Sequence, residues 1–502
     1  MEKRVILAIV LSMLVLMVWS SLVPKPQPIA NKEVTKEIAP LETKTPAPIA
    51  QPVAEKEIPS SSLFELAQEK YAIKFIEPLA AIQEVIFKNH LSYKLPLQYG
   101  FLLGDKTLVF RKESSTPASV SFVANAQDKK IVKRFTFPNP NYTIDLEVEI
   151  QNLSAAPLEL DLPLYLGVLD LSAKNQQARY QDVTVATKEK TTHISGRKKL
   201  NFAEVKFLSL RDRYFCAIIQ PEENNYAGFV QTAPQQSEVG LSLKRTLKPG
   251  EQFKQKFHIY LGPQDLRLMN SINPEWSQVI HYGTFDFISQ ILLQLLEFLY
   301  RLVHNWGWAI VLLSLIVYLV LYPLTLKQMR SMKEMQVLQP KIEELRQAHK
   351  DNPQKLNKEI MELYREHKVN PLGGCLPLLL QMPIFFALYQ ALMRSVVLKG
   401  ASFLWIKDLS EPDRLFTLPV SLPFIGNEIN ILPIVMTIGM FIQQKISQVA
   451  TSTSTDQQRM MMIIFPLMFG FIFYHMPSGL VLYWFINSTL MLIYQFRVSR
   501  QK

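Results

Sequence analysis

Cysteine is almost absent from the 502-residue chain: Cys216 and Cys375 stand in segments of different character, which excludes a disulfide framework. Charge is missing from three long runs, 306–326, 371–393 and 477–496, although Lys, Arg, Asp and Glu make up 19% of the whole. An ordinary globular composition therefore conceals a split chain, because residues 61–275 read as a soluble domain. No glycine-rich phosphate loop ending in Gly-Lys-Ser/Thr occurs, and the eight histidines lack zinc-ligand spacing, so neither a nucleotide nor a metal is expected as cofactor. The net charge of +11 raises nucleic acid as a partner. The basic residues flank the apolar runs, however, an arrangement that records membrane orientation and contact with anionic lipid. No specific nucleic acid is expected.

The N-terminus carries a fourth uncharged run, Val5–Val23, 19 residues long, close to the ~20 needed to cross hydrocarbon. A cleaved signal peptide is the rival reading, but its apolar core is ~7–15 residues followed by small residues, and this run ends in Leu22-Val23-Pro24. Length favours an uncleaved transmembrane anchor over residues 1–23. Residues 24–60 hold eight prolines among Lys, Glu, Ala and Thr. Such a stretch has too little apolar surface to fold and reads as an extended tether.

From 61 to 275 the pattern is that of strands. Tyr142, Ile144, Leu146, Val148 and Ile150 alternate with Thr143, Asp145, Glu147 and Glu149, a half-buried strand. Lys248-Pro249-Gly250 is a turn, and Phe253, Phe257, Ile259 and Leu261 mark the strand after it. The expectation is an all-β sandwich of two antiparallel sheets without a catalytic constellation.

Residues 284–305 form an amphipathic helix: Phe287, Ile291, Leu295, Leu299 and Leu302 share a broad face opposite Gln290, Gln294, Glu297 and Arg301. Preceding a span, it suits the bilayer interface, the alternative being a helix packed under the β-domain. Residues 306–326, 371–393 and 477–496 are long enough to cross. Residues 429–444 and 460–474 are shorter, and either recruit polar neighbours or lie where the bilayer is thin. With the anchor this makes six transmembrane helices.

Orientation follows from the short loops. Residues 327–370 carry ten Lys and Arg, and the termini with Lys445 and Arg459 carry seven more, against four in 394–428. Both termini are therefore expected in the cytoplasm and the β-domain outside. Within 327–370, Asp351-Asn352-Pro353 divides two helical stretches into a hairpin. Interleaved Lys and Glu fit a solvated hairpin as well as a docking site.

Polar groups in hydrocarbon are costly and usually face a bundle interior or a wet cavity. Ser314, Tyr318, Gln381, Tyr483 and Asn487 are of this kind, as are Tyr389, Gln390, Thr437, Gln443, Ser488 and Thr489. Helix–helix hydrogen bonding at ~0.6–2 kcal/mol each accounts for any single one of them slightly better. A small-solute transporter or channel is the rival class. Paired interrupted helices or intramembrane charges would favour it, and the runs contain neither. A β-domain that binds sugar or acts as a sensor is a third reading without an identifiable site.

Asn370-Pro371-Leu372-Gly373-Gly374-Cys375-Leu376-Pro377, running on to Gln381-Met382-Pro383-Ile384-Phe385, resembles the third span of the YidC/Oxa/Alb family of membrane protein insertases. Asn305-Trp306-Gly307-Trp308, Tyr322-Pro323-Leu324-Thr325, Leu338-Gln339-Pro340-Lys341 and Pro477-Ser478-Gly479-Leu480 match in order. The anchor, tether and external β-domain resemble the bacterial branch with a large periplasmic domain. The resemblance implies a non-enzymatic insertase and chaperone of the inner membrane, with a five-helix core around a hydrophilic client groove. Nascent membrane proteins, the ribosome and the Sec translocon are the implied partners, beside the lipid bilayer. Ser314, Tyr318, Gln381, Tyr483 and Asn487 would line the groove. Leu376, Leu379, Leu380 and Phe385, with Phe471 and Ile472, would form the client slide. One position departs: four residues before Tyr322 the family usually carries arginine, and this chain has Tyr318.

Overall fold

Ile144, Leu146, Val148 and Ile150 are wholly buried while Asp145, Glu147 and Glu149 between them reach solvent, the two-residue period of a strand with one face on a core. In the computed structural model this strand is Thr143–Asn152. Its outer face is laced across the register: Asp145 meets Lys256 at 3.0 Å, and Glu147 meets Lys254 at 2.9 Å and Arg134 at 3.2 Å. The structure describes residues 63–500 except 105, 139–140, 173–179, 196–197, 224–225, 233–235, 350–351, 368, 370–375, 423–425 and 449–455. The proposed anchor (1–23) and tether (24–60) lie outside the described residues, as do Asn370–Cys375 of the third-span motif.

Thr143–Asn152 is central in a nine-stranded antiparallel sheet running from Thr191–Ser195 at one edge to Arg111–Ser115 at the other. The opposing layer differs from the expected single sheet. It consists of two four-stranded sheets, one built from Leu63–Gly100 and one from Leu158–Asp170, Leu200–Phe202, Ala227–Thr232 and Gln236–Leu247. They join where Leu103 bridges Leu164 and Phe101 N–H donates to Tyr165 O at 2.6 Å. Aromatic rings fill the space between layers, with Phe75 5.8 Å from Phe122 and 5.3 Å from Phe135.

A lysine stands inside this core. Lys133 is fully buried, its Nζ donating to Ala80 O at 2.5 Å and Phe101 O at 2.6 Å. Both acceptor residues are left-handed, at φ 44° and 61°, so the backbone of the N-terminal sheet bends its carbonyls onto the ammonium. Burial pushes the Lys133 amine down to about 7, against ~10.4 for an exposed lysine. Between those values the unfolded chain binds the extra proton, so stability rises with pH across that window. Lys133→Met should lower stability by about 1–3 kcal/mol at pH 7, because two buried carbonyls lose their donor. It should also flatten the rise in melting temperature between pH 7 and 10. A slope equal to wild type would trace the pH dependence to another group.

After the sandwich come α1 (Leu266–Ile272), α2 (Asp286–Val303), α3 (Trp306–Ala348), α4 (Pro353–Glu366), α5 (Leu376–Arg394), α6 (Ile431–Gln448), α7 (Asp456–Tyr474) and α8 (Ser478–Arg500). The apolar face of α2 is divided. Leu292, Leu296 and Leu299 are buried with α3 and α5, where Ser289 Oγ donates to Ala387 O at 2.9 Å, while Phe287, Ile291, Phe298 and Leu302 remain exposed. Neither simple expectation for this helix is complete: it packs on helices, not strands, and still presents an apolar edge.

His304, at φ 52°, ends α2, and Asn305 Oδ1 accepts from Trp308 N–H at 3.1 Å to cap α3. A Cβ on Gly307 would run into the Phe403 ring. Gly307→Ala should therefore destabilise the helical part by about 1–3 kcal/mol through overpacking. An unshifted unfolding transition in membrane mimetics would show that Phe403 can move aside.

The helix carrying the second apolar run does not stop at 326. α3 continues for 43 residues through Pro323 and Pro340 into the charged segment. A proline removes one N–H and crowds one carbonyl, which bends a helix more readily than it stops one embedded in tertiary contacts. The hairpin closes on Leu338, Ile342 and Val369, and Asn352 caps α4 by accepting from Lys355 N–H at 3.1 Å.

Among the described residues, Trp306–Lys327 and Ser478–Arg497 are long and apolar enough to cross a membrane, and Ile431–Lys445 and Ile463–Tyr474 are shorter apolar stretches. The helices containing the shorter stretches reach 18 and 19 residues by including polar neighbours.

Candidate functional site

Two polar faces meet along the α3–α8 seam. On α8, Tyr483, Asn487 and Tyr494 are spaced four and seven residues apart, so they share one side of the helix. On α3, Ser314, Tyr318 and Tyr322 recur every four residues and do the same. The tyrosine rings form a ladder, Tyr318 to Tyr322 at 6.1 Å and Tyr322 to Tyr494 at 5.8 Å. From α5, Gln381 Nε2 donates to the Tyr483 hydroxyl at 3.0 Å, a contact between residues 102 positions apart.

The five expected groove residues are thus divided. Gln381 and Tyr483 are bonded to each other, and Asn487 Nδ2 donates to Tyr483 O at 3.0 Å one turn away. Tyr318 is half-buried within the ladder. Ser314 is completely enclosed, and its hydroxyl donates to Ile310 O at 2.8 Å in its own helix. Thr437 and Thr489 likewise donate to Pro433 O and Phe485 O. These hydroxyls satisfy themselves locally, as a low-dielectric setting demands. The seam's electrostatics come from amides and hydroxyls alone, since both α3 and α8 are charge-free here.

The expected slide residues do not share one surface. Phe385 is packed into an aromatic cluster, 5.6 Å from Phe473 and 5.2 Å from Trp484. Ile472 is half-buried against the same core, whereas Phe471 is 57% exposed. Leu376, Leu379 and Leu380 lie on the first turns of α5, their side chains outside the described residues. Exposed apolar side chains continue around the helices at Leu319, Val320, Ile438, Phe441, Leu467 and Phe471. An apolar surface this extended is not one that water covers.

Sequence reasoning missed the link between the strands and this helical core. Asp212 Oδ1 accepts from the N–H groups of Tyr214 and Phe215 at 2.9 and 2.8 Å, forming a tight turn that presents Arg213. Arg213, 7% exposed, donates from Nε to Met393 O at 2.8 Å, from Nη2 to Ser410 O at 2.9 Å and from Nη1 to Glu411 at 3.1 Å. Met393 is in the last turn of α5. The 408–411 loop accepts Ser478 N–H and Gly479 N–H at 2.8 and 2.9 Å and so holds the start of α8. One guanidinium braces both helices of the Gln381–Tyr483 pair.

Beside it, Arg211 grips Asp182 at 2.5 and 2.8 Å, and Arg394 of α5 lies 3.6 Å from the same carboxylate. Burial alone would raise the Asp182 carboxyl, but the surrounding cations, Arg211 first and Arg394 with it, together hold it below the usual range. His281 is pushed down to about 3 by burial and by Arg211, so it is neutral and its Nε2 accepts from Arg211 at 2.8 Å.

Two families match in tandem: YidC periplasmic domain over residues 102–295, and 60Kd inner membrane protein over 298–502. The membrane protein insertase YidC of Pelobacter propionicus is 32% identical across 100% of this chain and 99% of its own length. That of Syntrophobacter fumaroxidans is 32% identical, with both chains covered completely. The chain belongs to the YidC family of membrane protein insertases. A crystal structure of an active YidC insertase with its first transmembrane domain resolved covers 87% of this chain and 93% of that one, at 21% identity and a TM-score of 0.42. In the terms of the YidC family, the β-rich part is the periplasmic domain and the helical part belongs to the inner membrane. The two family matches meet inside α2.

Proposed function

We propose that the chain inserts and folds inner-membrane proteins without enzymatic chemistry, its clients passing along the uncharged polar seam of α3, α5 and α8. The Gln381–Tyr483 hydrogen bond carries this reading, because it gathers amide and hydroxyl groups between helices whose outer surfaces are apolar. Water held by such groups shortens the dry path that a client's polar tail must cross, which lowers a desolvation barrier. Burial of the client's ~20 apolar residues supplies the drive. Phe471 and the exposed apolar side chains of α7 offer the client segment its lipid-side surface, backed by Phe385 and Ile472; Leu376, Leu379 and Leu380 of α5 complete the residues assigned to the slide. The full topology is six spans, at 1–23, 306–326, 371–393, 429–444, 460–474 and 477–496, with both termini cytoplasmic. The chain works alone on short-tailed clients or beside the Sec translocon, receiving nascent chains from the ribosome.

A photo-crosslinking residue at position 381 tests the assignment. It should capture the hydrophobic segment of a ribosome-bound client early in its synthesis. Crosslinks confined to lipid and to residues of α8 would remove the seam from the insertion path.

A further inference from the structure

A cavity of about 700 Å³ opens between the polar face of α2 and the underside of the periplasmic domain, within the ~300–1,000 Å³ that small-molecule sites occupy. Asp286, Gln290, Gln294, Glu297 and Arg301 line it from α2, and Asp265, Arg267 and Asn270 line it from the α1 segment. The edge of α2 next to this polar row carries exposed Phe287, Ile291, Phe298 and Leu302. If that edge lies in the bilayer, the cavity opens at headgroup level. This placement rests on the membrane reading above.

The lining is charged on both signs. Arg267 pairs with Glu297 across the walls, and Asp286 accepts from Tyr282 N–H at 2.7 Å and from Gln290 at 2.8 Å. Arg301 has no ion pair among the described residues and lies one turn beyond Glu297. His281 also lines the cavity and is neutral, held down to about 3 by burial and by Arg211.

We propose that this cavity holds the headgroup of a zwitterionic phospholipid bearing a primary ammonium, the phosphate on Arg301 and the ammonium toward Glu297. Three lining carboxylates against two guanidiniums make a purely anionic headgroup unfavourable. The side-chain amides of Gln294 and Asn270 can accept N–H donors that an ethanolamine ammonium has and a choline group lacks. Among the described residues the lining holds Tyr282 but no Trp, Phe or second Tyr to complete the aromatic cage that recognises quaternary ammonium. The acyl chains would run along the exposed apolar edge of α2, fixing the helix at the interface.

The full chain, reconstituted in vesicles of equal phosphatidylethanolamine, phosphatidylglycerol and phosphatidylcholine and extracted into mild detergent, is read by native mass spectrometry. One phosphatidylethanolamine should remain bound. Arg301→Gln and Glu297→Gln should each weaken retention about tenfold, equivalent to about 1.4 kcal/mol, while Arg301→Lys retains most of it. Equal retention of the three headgroups, or retention unchanged in both Gln variants, overturns the proposal. Displacement by millimolar inorganic phosphate but not by phosphoethanolamine overturns it in favour of a simple anion site. Crosslinking from position 381 reads the insertase assignment separately: its failure with headgroup retention intact overturns that assignment and leaves this one standing.

Discussion

Arg213→Ala is expected to loosen the periplasmic domain from the helices and, with it, the outer ends of α5 and α8. The side chain makes three charge-assisted contacts while nearly enclosed, and removing one partner of such a buried arrangement typically costs about 2–5 kcal/mol. The Met393 and Ser410 carbonyls would be left without this donor, while Glu411 would keep only Arg414 at 3.7 Å. Hydrogen exchange should report this first at Ser478 and Gly479, whose amides bond to the loop that Arg213 holds. Client crosslinking from position 381 should fall in parallel, because the Gln381–Tyr483 pair depends on the mutual placement of the same two helices. Arg213→Lys should rescue little: an ammonium cannot fork toward three acceptors in one plane. Unchanged exchange at 478–479 in Arg213→Ala would make the clasp incidental and the periplasmic domain a passive neighbour.

This clasp was illegible in the sequence, and the reason is distance along the chain. Arg213 meets Met393 across 180 positions, and nothing local distinguishes it from any arginine in a strand-rich segment. Lys133 was hidden for a similar cause: its acceptors are carbonyls, which every residue carries. What was legible had periodicity or composition behind it. The alternation around Ile144–Ile150 marked a strand because one face had to be dry, and charge-free runs marked α3 and α8 because hydrocarbon excludes charge. The onset of charge at Lys327 marked the end of the apolar run but not of its helix, since α3 continues through Pro340 to Ala348. The candidate site was legible as residue types, not as an arrangement. Gln381 and Tyr483 could be named, but not their hydrogen bond, and Ser314 looked identical to a groove residue although its hydroxyl stays within its own helix.

Tyr318 offers the sharpest test of how the seam works. It is half-buried on α3, one turn from Tyr322 in the ladder that reaches Tyr494. Its hydroxyl can hold water but brings no fixed charge. If wetness is what the seam supplies, Tyr318→Phe should reduce insertion only a few-fold. An arginine at mid-span costs about 2.5–3.5 kcal/mol on insertion scales and survives where it is hydrated. Tyr318→Arg should therefore fold and insert clients. It should also shift preference toward acidic tails, because opposite charges attract more strongly at low dielectric. Paired clients differing only in tail charge, measured in wild type and both variants, separate the cases. A strong acidic-tail preference already in wild type would mean that a cation from outside the spans reaches the seam. Failure of Tyr318→Arg to fold would mean that position 318 faces packed protein, and the wet path would then have to run along Gln381 and Asn487 without it.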